Sequence, residues 1–453
     1  MQVETLIKGD IVLETGVIEG GAVSVSGGRI VGIHRPGQFP EAAEVHDHSG
    51  KLVLPGTIDP HVHAYSSSTE QEGIGGLTRS AAAGGVTTVI DMPYDRPKAI
   101  TNVELLRAKK EIIAREAVVD VGLYGTTTKF DGWKDIQPLA AEGVCAFKFS
   151  TYESDPDRFP EIPDHELAKI FGEMQKTGLV AVFHAENGAI IDPLIEELKE
   201  QGAVHPEAHC WSRPLISETT AVLKLLEFAR EYGARLHIAH LTAPQGYEAV
   251  KWYQDQGVDV TAETCIQYLV LTDEELKKQR AYAKCNPPLR DRETLEDLWF
   301  KLEDGEIDFI TSDHAPWPRS NKSADNIFDN ASGLPGVEYL LPLLFNSAVI
   351  ERGLTVTALV ELLSAGPARR FGLSARKGAL FVGADADIAI LDPRATWTID
   401  STSNQSVADW SPYDGLSITG KVVGTFVRGQ LVWDGSRITA AAGSGRFTSP
   451  RGN

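Results

Sequence analysis

The segment Asp59-Pro60-His61-Val62-His63 sets two imidazoles two residues apart at the end of the apolar run Leu52–Ile58. Residues i and i+2 of a β-strand share a face, so His61 and His63 project side by side. Neutral imidazoles paired in this way are metal ligands aimed at one point. Taken alone, the pair fits two packed histidines about as well. Further strand-like runs end in the same chemistry. Lys148 lies inside the apolar run Val144–Phe149, Val180–Phe183 leads to His184 and Glu186, Arg235–Leu241 carries His237 and His240, and Asp308–Ser312 leads to Asp313 and His314.

A lysine in a buried strand must find a partner or lose its charge. Nearby metal cations push it the same way, and a neutral amine adds carbon dioxide to give an anionic, bidentate carbamate. The expectation is that Lys148 is carboxylated and bridges two divalent ions. One ion is held by His61, His63, Lys148 and Asp313, the other by Lys148, His184 and His240. Such a pair shares a bridging water, lowers its pKa and polarises a carbonyl. Asp313 takes the water's proton and returns it to a leaving amide nitrogen. The donors suit zinc, with manganese, cobalt or iron compatible. His237 and His314 are expected beside the site, His205 and His209 at the surface, and Glu186 and Glu263 either behind the ligands or simply satisfied near strand ends.

Donors scattered so widely along the chain need a scaffold that gathers strand ends. Eight short apolar runs read as strands: 52–59, Thr87–Met92, Val119–Gly125, Cys145–Ser150, Val180–Ala185, Arg235–Leu241, Val258–Glu263 and Asp308–Ser312. Between them Val103–Arg115, Asp164–Lys176, Glu218–Tyr232 and Pro244–Gln256 space apolar residues three and four apart, the helical period. This alternation predicts an α/β fold, a (β/α)8 TIM barrel over 54–375, with catalytic groups at the carboxyl ends of its strands. The two ends of the chain, 1–53 and 376–453, alternate in polarity with glycine turns and are predicted to pair into one small β-sandwich domain. The Gly/Ser/Pro-rich tail after Ala440 is expected to be mobile. Tyr65 and the neighbouring Ser66–Ser68, together with Thr151–Arg158, are expected to line the mouth.

The chain has 453 residues, 43 basic and 63 acidic, for a net charge of −20. That balance argues against nucleic acid or an anionic membrane as partner. Cys145, Cys210, Cys265 and Cys285 form no CxxC pair, so neither a disulfide framework nor a zinc knuckle is expected. No apolar run approaches the roughly 18 residues of a membrane span. The first 20 residues carry acidic groups rather than a basic start and apolar core. A cytoplasmic location is expected.

The phrases Leu54–His63, Gly84–Pro93, Phe147-Lys148, His184-Ala185-Glu186-Asn187, Ala239-His240-Leu241, Glu263-Thr264-Cys265, Asn286–Arg290, Ser312-Asp313-His314 and Gly383–Ile388 together resemble the cyclic amidohydrolases. This group includes hydantoinase, allantoinase, dihydropyrimidinase and dihydroorotase. The resemblance implies a binuclear metalloenzyme, usually zinc, with a carboxylated lysine, opening a cyclic amide or imide to a carbamoyl acid. It implies the same ligands at the residues named above and a homotetramer or homodimer. It also implies that backbone groups around Thr264 and Ser332, with Asn286 nearby, hold the ring. Tyr152 would supply a phenol to the tetrahedral oxyanion. Thr264-Cys265 and Asn286-Pro287-Pro288 lean toward allantoinase and dihydroorotase. Ile266-Gln267-Tyr268 and Ser411–Leu416 are more like hydantoinase, and no basic pair is seen for a free substrate carboxylate. The expected substrate is a hydantoin- or allantoin-like ureide ring. Alternatives are a dihydropyrimidinase or other cyclic imide hydrolase, a deaminase of the wider class (against which Lys148 speaks), and a non-catalytic scaffold.

Overall fold

The computed structural model describes residues 2–65 and 72–450. Four strands come first: β1 (Val3–Leu13), β2 (Gly16–Ser26), β3 (Arg29–His34) and β4 (Ala42–Pro55). Eight follow at intervals: β5 (Thr57–Val62), β6 (Val86–Asp91), β7 (Asp120–Gly125), β8 (Ala146–Ser150), β9 (Val180–His184), β10 (Arg235–Ile238), β11 (Val260–Cys265) and β12 (Phe309–Thr311). The last three are β13 (Ile388–Thr398), β14 (Ser417–Val427) and β15 (Gln430–Trp433).

Strands β5 to β12 lie in chain order in one eight-stranded parallel sheet. A bridge between Val62 and His314, with the His63 N–H on the His314 carbonyl at 2.8 Å, brings the last strand back to the first. The result is the expected TIM barrel. Alternate residues serve two cores, as the strand period of two requires. Ile90, Ala146 and Val182 pack in an inner cluster, while their neighbours Val89, Phe147 and Phe183 join the outer layer with the helices. Lys148 shares the parity of Ala146, and His184 that of Val182. The helical periodicity appears as Val103–Glu116, Asp164–Thr177, Leu215–Tyr232 and Pro244–Asp255. The side chain of Asn102 caps the first of these, and Gly178 and Gly233 end the second and third in the left-handed conformation.

The first run divides differently from the prediction. Leu52–Pro55 ends β4 in the outer sheet, and the barrel strand starts at Thr57, so that His61 lies within β5. Gly56 is the break: a Cβ there would lie 2.0 Å from Thr87 Oγ1, so only glycine lets the chain pass. Strand β11 also reaches Cys265, two residues beyond the expected end.

Both chain ends share one seven-stranded sheet in the order β15-β14-β13-β4-β1-β2-β3. It curls over on itself. The 383–386 segment exchanges backbone hydrogen bonds with Ile30 and Gly28, and Gly429 bonds to Ala386. Ile7, Val23 and Val25 from one arm therefore share a cluster with Ile388, Ile390 and Phe426 from the other. The tail after Ala440, expected to be loose, is pinned instead. Gly443 and Gly445 both bond to the Ala117 carbonyl, and Arg446 and Thr448 pair with Val121. The Lys110 ammonium lies 4.3 Å from the Phe447 ring centre. Composition signals flexibility, but here an open strand edge supplies the partners that composition cannot show.

Candidate metal centre

His61, His63, Lys148, His184, His240 and Asp313 gather at the carboxyl end of the barrel. Their positions follow from inward strand parity and from the sharp turns that end β10 and β12. His240 and Asp313 hold φ of 39° and 46°, a left-handed backbone that non-glycine residues adopt at a cost and that collects at functional sites. The His61 and His63 Nε2 atoms each lie 3.2 Å from Asp313 Oδ1. One ligand atom from each of the three falls within 4.8 Å of the others. On the other side His184 Nδ1 and His240 Nε2 are 2.9 Å apart. The His61 ring joins the two groups, with its centre 5.2 Å from that of His240.

Glutamates hold the histidines from behind. Glu263 reaches His61 Nδ1 with one oxygen and His237 Nε2 with the other, the latter at 3.1 Å. Glu186 takes His184 Nε2 at 2.7 Å and the Arg213 guanidinium at 2.5 Å. A carboxylate on the far nitrogen fixes the tautomer and turns the near one toward a metal. His237 thus braces Glu263 and stands outside the ligand group. His314, bonded to Glu72 at 2.6 Å and accepting the Gly336 N–H at 3.0 Å, also points elsewhere.

Lys148 is fully buried, and its Nζ has no hydrogen-bond partner among the described residues, like His240 Nδ1. Burial pushes its pKa down to about 8, against the opposing pull of Glu263 and Asp313. Burial and the Lys148 charge likewise hold His61 and His240 below the ordinary imidazole range, which keeps them neutral donors. Burial alone would raise the Asp313 pKa, but His61, His63 and Lys148 hold it low and ionised. Two sets of lone pairs flanking an orphaned amine fit a pair of cations joined by a modified lysine. They fit a packed core poorly, because a buried amine without a partner is costly.

These groups floor a cavity of about 560 Å³. Tyr152, Asn286 and Ser332 line it. The Tyr152 ring lies 4.5 Å from the Arg213 guanidinium carbon, and burial raises its pKa, so the phenol keeps its proton. The Ser332 carbonyl accepts the Trp317 indole N–H at 2.8 Å. Thr264 and Tyr65 do not reach the cavity lining. Thr264 is fully buried within β11, and Tyr65 sits half-buried with the Lys109 ammonium 5.5 Å from its ring. Ser66–Ser68, expected at the mouth, lie outside the described residues.

Among the lining residues that sequence reasoning missed are His209 and Arg213. His209, expected at the surface, is buried on the short helix Ala208–Trp211, with its Nε2 on the Cys285 carbonyl at 2.8 Å. Arg213 follows in the next turn. No periodicity marks either, since a four-residue helix shows none and the partners come from distant segments. Apart from Lys148, five basic side chains line the cavity: Arg96 and four that are committed to partners. Arg158 pairs with Asp155, Lys199 with Glu196, Arg213 with Glu186, and Lys284 donates to the Ile327 and Asn330 carbonyls. All four line the cavity.

Comparison with known proteins adds independent findings. The model of the amidohydrolase family matches residues 52–432. The chain is 34% identical to an allantoinase of Bacillus licheniformis, over 99% of this chain and all of that one. It is 33% identical to an L-hydantoinase of Paenarthrobacter aurescens, over 98% and 96% of the two chains. Among solved structures, the L-hydantoinase (dihydropyrimidinase) from Arthrobacter aurescens superposes with a TM-score of 0.94 at 32% identity, covering 99% of this chain and all of the other.

Proposed function

Because this chain belongs to the amidohydrolase family, we propose that it hydrolyses the C–N bond of a cyclic amide, opening a hydantoin- or allantoin-like ureide ring to a carbamoyl acid. The observation that carries this reading is the convergence of His61, His63 and Asp313 beside His184, His240 and a buried, partnerless Lys148 at one barrel end.

Two divalent ions, zinc foremost, fit the donors present. His61, His63 and Asp313 would hold one, His184 and His240 the other, with Lys148 contributing to both. When bound, the ions supply Lewis-acid activation of water and of the ring carbonyl. Lys148 reaches its bridging form by addition: its neutral amine attacks carbon dioxide, loses one proton and becomes an anionic carbamate. Asp313, ionised, accepts a proton from the water that attacks the carbonyl carbon. As the new C–O bond forms and the ring C–N bond breaks, Asp313 delivers that proton to the departing nitrogen. The protonated Tyr152 phenol donates to the oxyanion of the tetrahedral intermediate. Asn286 and Ser332 face the ring.

The test is a ring-opening assay of the zinc- or manganese-reconstituted protein on hydantoins, allantoin, dihydrouracil and cyclic imides. Turnover of the five-membered ureides is expected. Faster opening of dihydrouracil would favour the dihydropyrimidinase reading, and no opening of any ring would remove the hydrolytic one.

A further inference from the structure

One corner of the cavity supplies no proton carrier to the chemistry above and touches it only through Asn286 and the Tyr152 ring. It is formed by Ala208–Trp211 with the turn after it, and by the Lys284–Pro288 segment. His209 Nε2 faces a carbonyl, that of Cys285, so Nε2 carries the proton and Nδ1 is left as an acceptor. The same bond ties His209 to Cys285, the residue immediately before Asn286. The Arg213 N–H bonds to the Cys210 carbonyl at 3.2 Å, which sets its side chain one turn further on. His209, Asn286 and Arg213 all line the cavity. Two of their polar atoms, Arg213 Nε and Asn286 Oδ1, are buried with no hydrogen-bond partner among the described residues.

The corner is rigid and close to the reaction. Glu186 and the Tyr152 ring hold the Arg213 guanidinium, and Arg290 donates to the Arg213 carbonyl at 2.5 Å. Glu186 in turn holds His184, so the corner adjoins the candidate metal centre. A buried donor and acceptor left unpaired are costly, and an apolar substituent placed there satisfies neither. A group that both donates and accepts satisfies both. A ureido group has N–H donors for Asn286 Oδ1 and His209 Nδ1, and a carbonyl for the Arg213 Nε–H. We propose that His209, Asn286 and Arg213 form a subsite for a ureido substituent on the ring carbon. Resting on the ring-opening reading, this makes the substrate an allantoin-type ureide rather than an alkyl- or aryl-hydantoin.

The test compares allantoin with 5-propylhydantoin, which has the same ring and a substituent without hydrogen-bonding groups. The expected preference in kcat/KM for allantoin on the metal-loaded enzyme is at least about tenfold, and His209→Leu reduces that ratio by a similar factor. Asn286→Leu serves if the His209 variant does not fold. Equal or better use of 5-propylhydantoin by the parent enzyme, or an unchanged ratio in the folded variants, overturns the subsite. If neither ring is opened, the hydrolytic reading fails, and equilibrium binding of the same two compounds still decides the subsite by the same tenfold criterion.

Discussion

Lys148 and Lys377 are both buried, at 1% and 5% exposure, and their surroundings are opposite in kind. Lys377 sits where the barrel meets the outer sheet, with Asp120 at 2.8 Å, Asp387 at 2.5 Å and Asp385 at 3.5 Å. Arg428 closes on Asp120 from the other side. Burial would lower the Lys377 pKa, but these carboxylates raise it above the ordinary lysine range. Asp120, Asp385 and Asp387 have the spacing of a cation site, and the ammonium already stands among them. Lys148 has no such partner, and burial lowers its pKa. One lysine is a permanent charge that pins two parts of the molecule together. The other gives up its proton more readily and so reaches the neutral amine. Whether a buried lysine is clamp or reagent depends on how many carboxylates reach its tip.

Substitution separates the two roles. Lys148→Ala should cost the most, with turnover falling by about four orders of magnitude and metal content dropping, because both ion sites lose a shared donor. Small carboxylates should restore part of the activity. A variant with full metal content and near-parent turnover would contradict the bridging role. Lys377→Met should act on stability instead. Losing the ammonium leaves Asp387 without its cation and Asp120 and Asp385 with only their arginines, which should destabilise the fold by about 3–5 kcal/mol in denaturant titrations, while the folded fraction keeps its metal.

The comparison also has a pH signature. In metal-free protein, Lys148 is protonated below about 8 when folded and below about 10.4 when unfolded. Between those values the unfolded chain binds the extra proton, so stability rises with pH by up to ~3 kcal/mol relative to a Lys148→Met variant. Lys377, with its pKa raised, works in the other sense. Its contribution is complete below the unfolded value and is lost only as pH rises through the higher folded one. Urea titrations of parent and Lys148→Met protein at pH 7 and pH 10 measure the difference, and parallel curves would remove the distinction. The smallest effect is expected at Glu263, which touches no proposed substrate position. Glu263→Gln should weaken metal affinity by about 10–100-fold, read by competition with a chelator, because His61 and His237 lose a shared acceptor.

Much of the candidate site was legible because its parts are local. His61 and His63 share a face by strand parity alone, and Lys148 stood out as a charge inside an apolar run. The bracing glutamates were less legible. Glu263 lies 202 residues from His61, and nothing in its neighbourhood states which histidine it meets. Tyr65 and the Thr264 side chain sat beside recognisable motifs yet do not line the cavity, because adjacency in a motif does not fix which side of a strand or loop a side chain presents. The pinned tail was misjudged for a related reason, since its partners, Ala117 and Val121, are more than 300 residues earlier in the chain.

By itself the sequence determined the alternation of strand and helix, the parity that turns the ligand residues inward, and the chemical character of the barrel's working end. All of these follow from periods of two and 3.6 residues and from side-chain chemistry. Only the tertiary structure decided which carboxylate backs which imidazole, which buried lysine is paired, and that His209 and Arg213 share a corner of the cavity. Those outcomes depend on closing the barrel, an event that joins strands distant in sequence and leaves no local pattern.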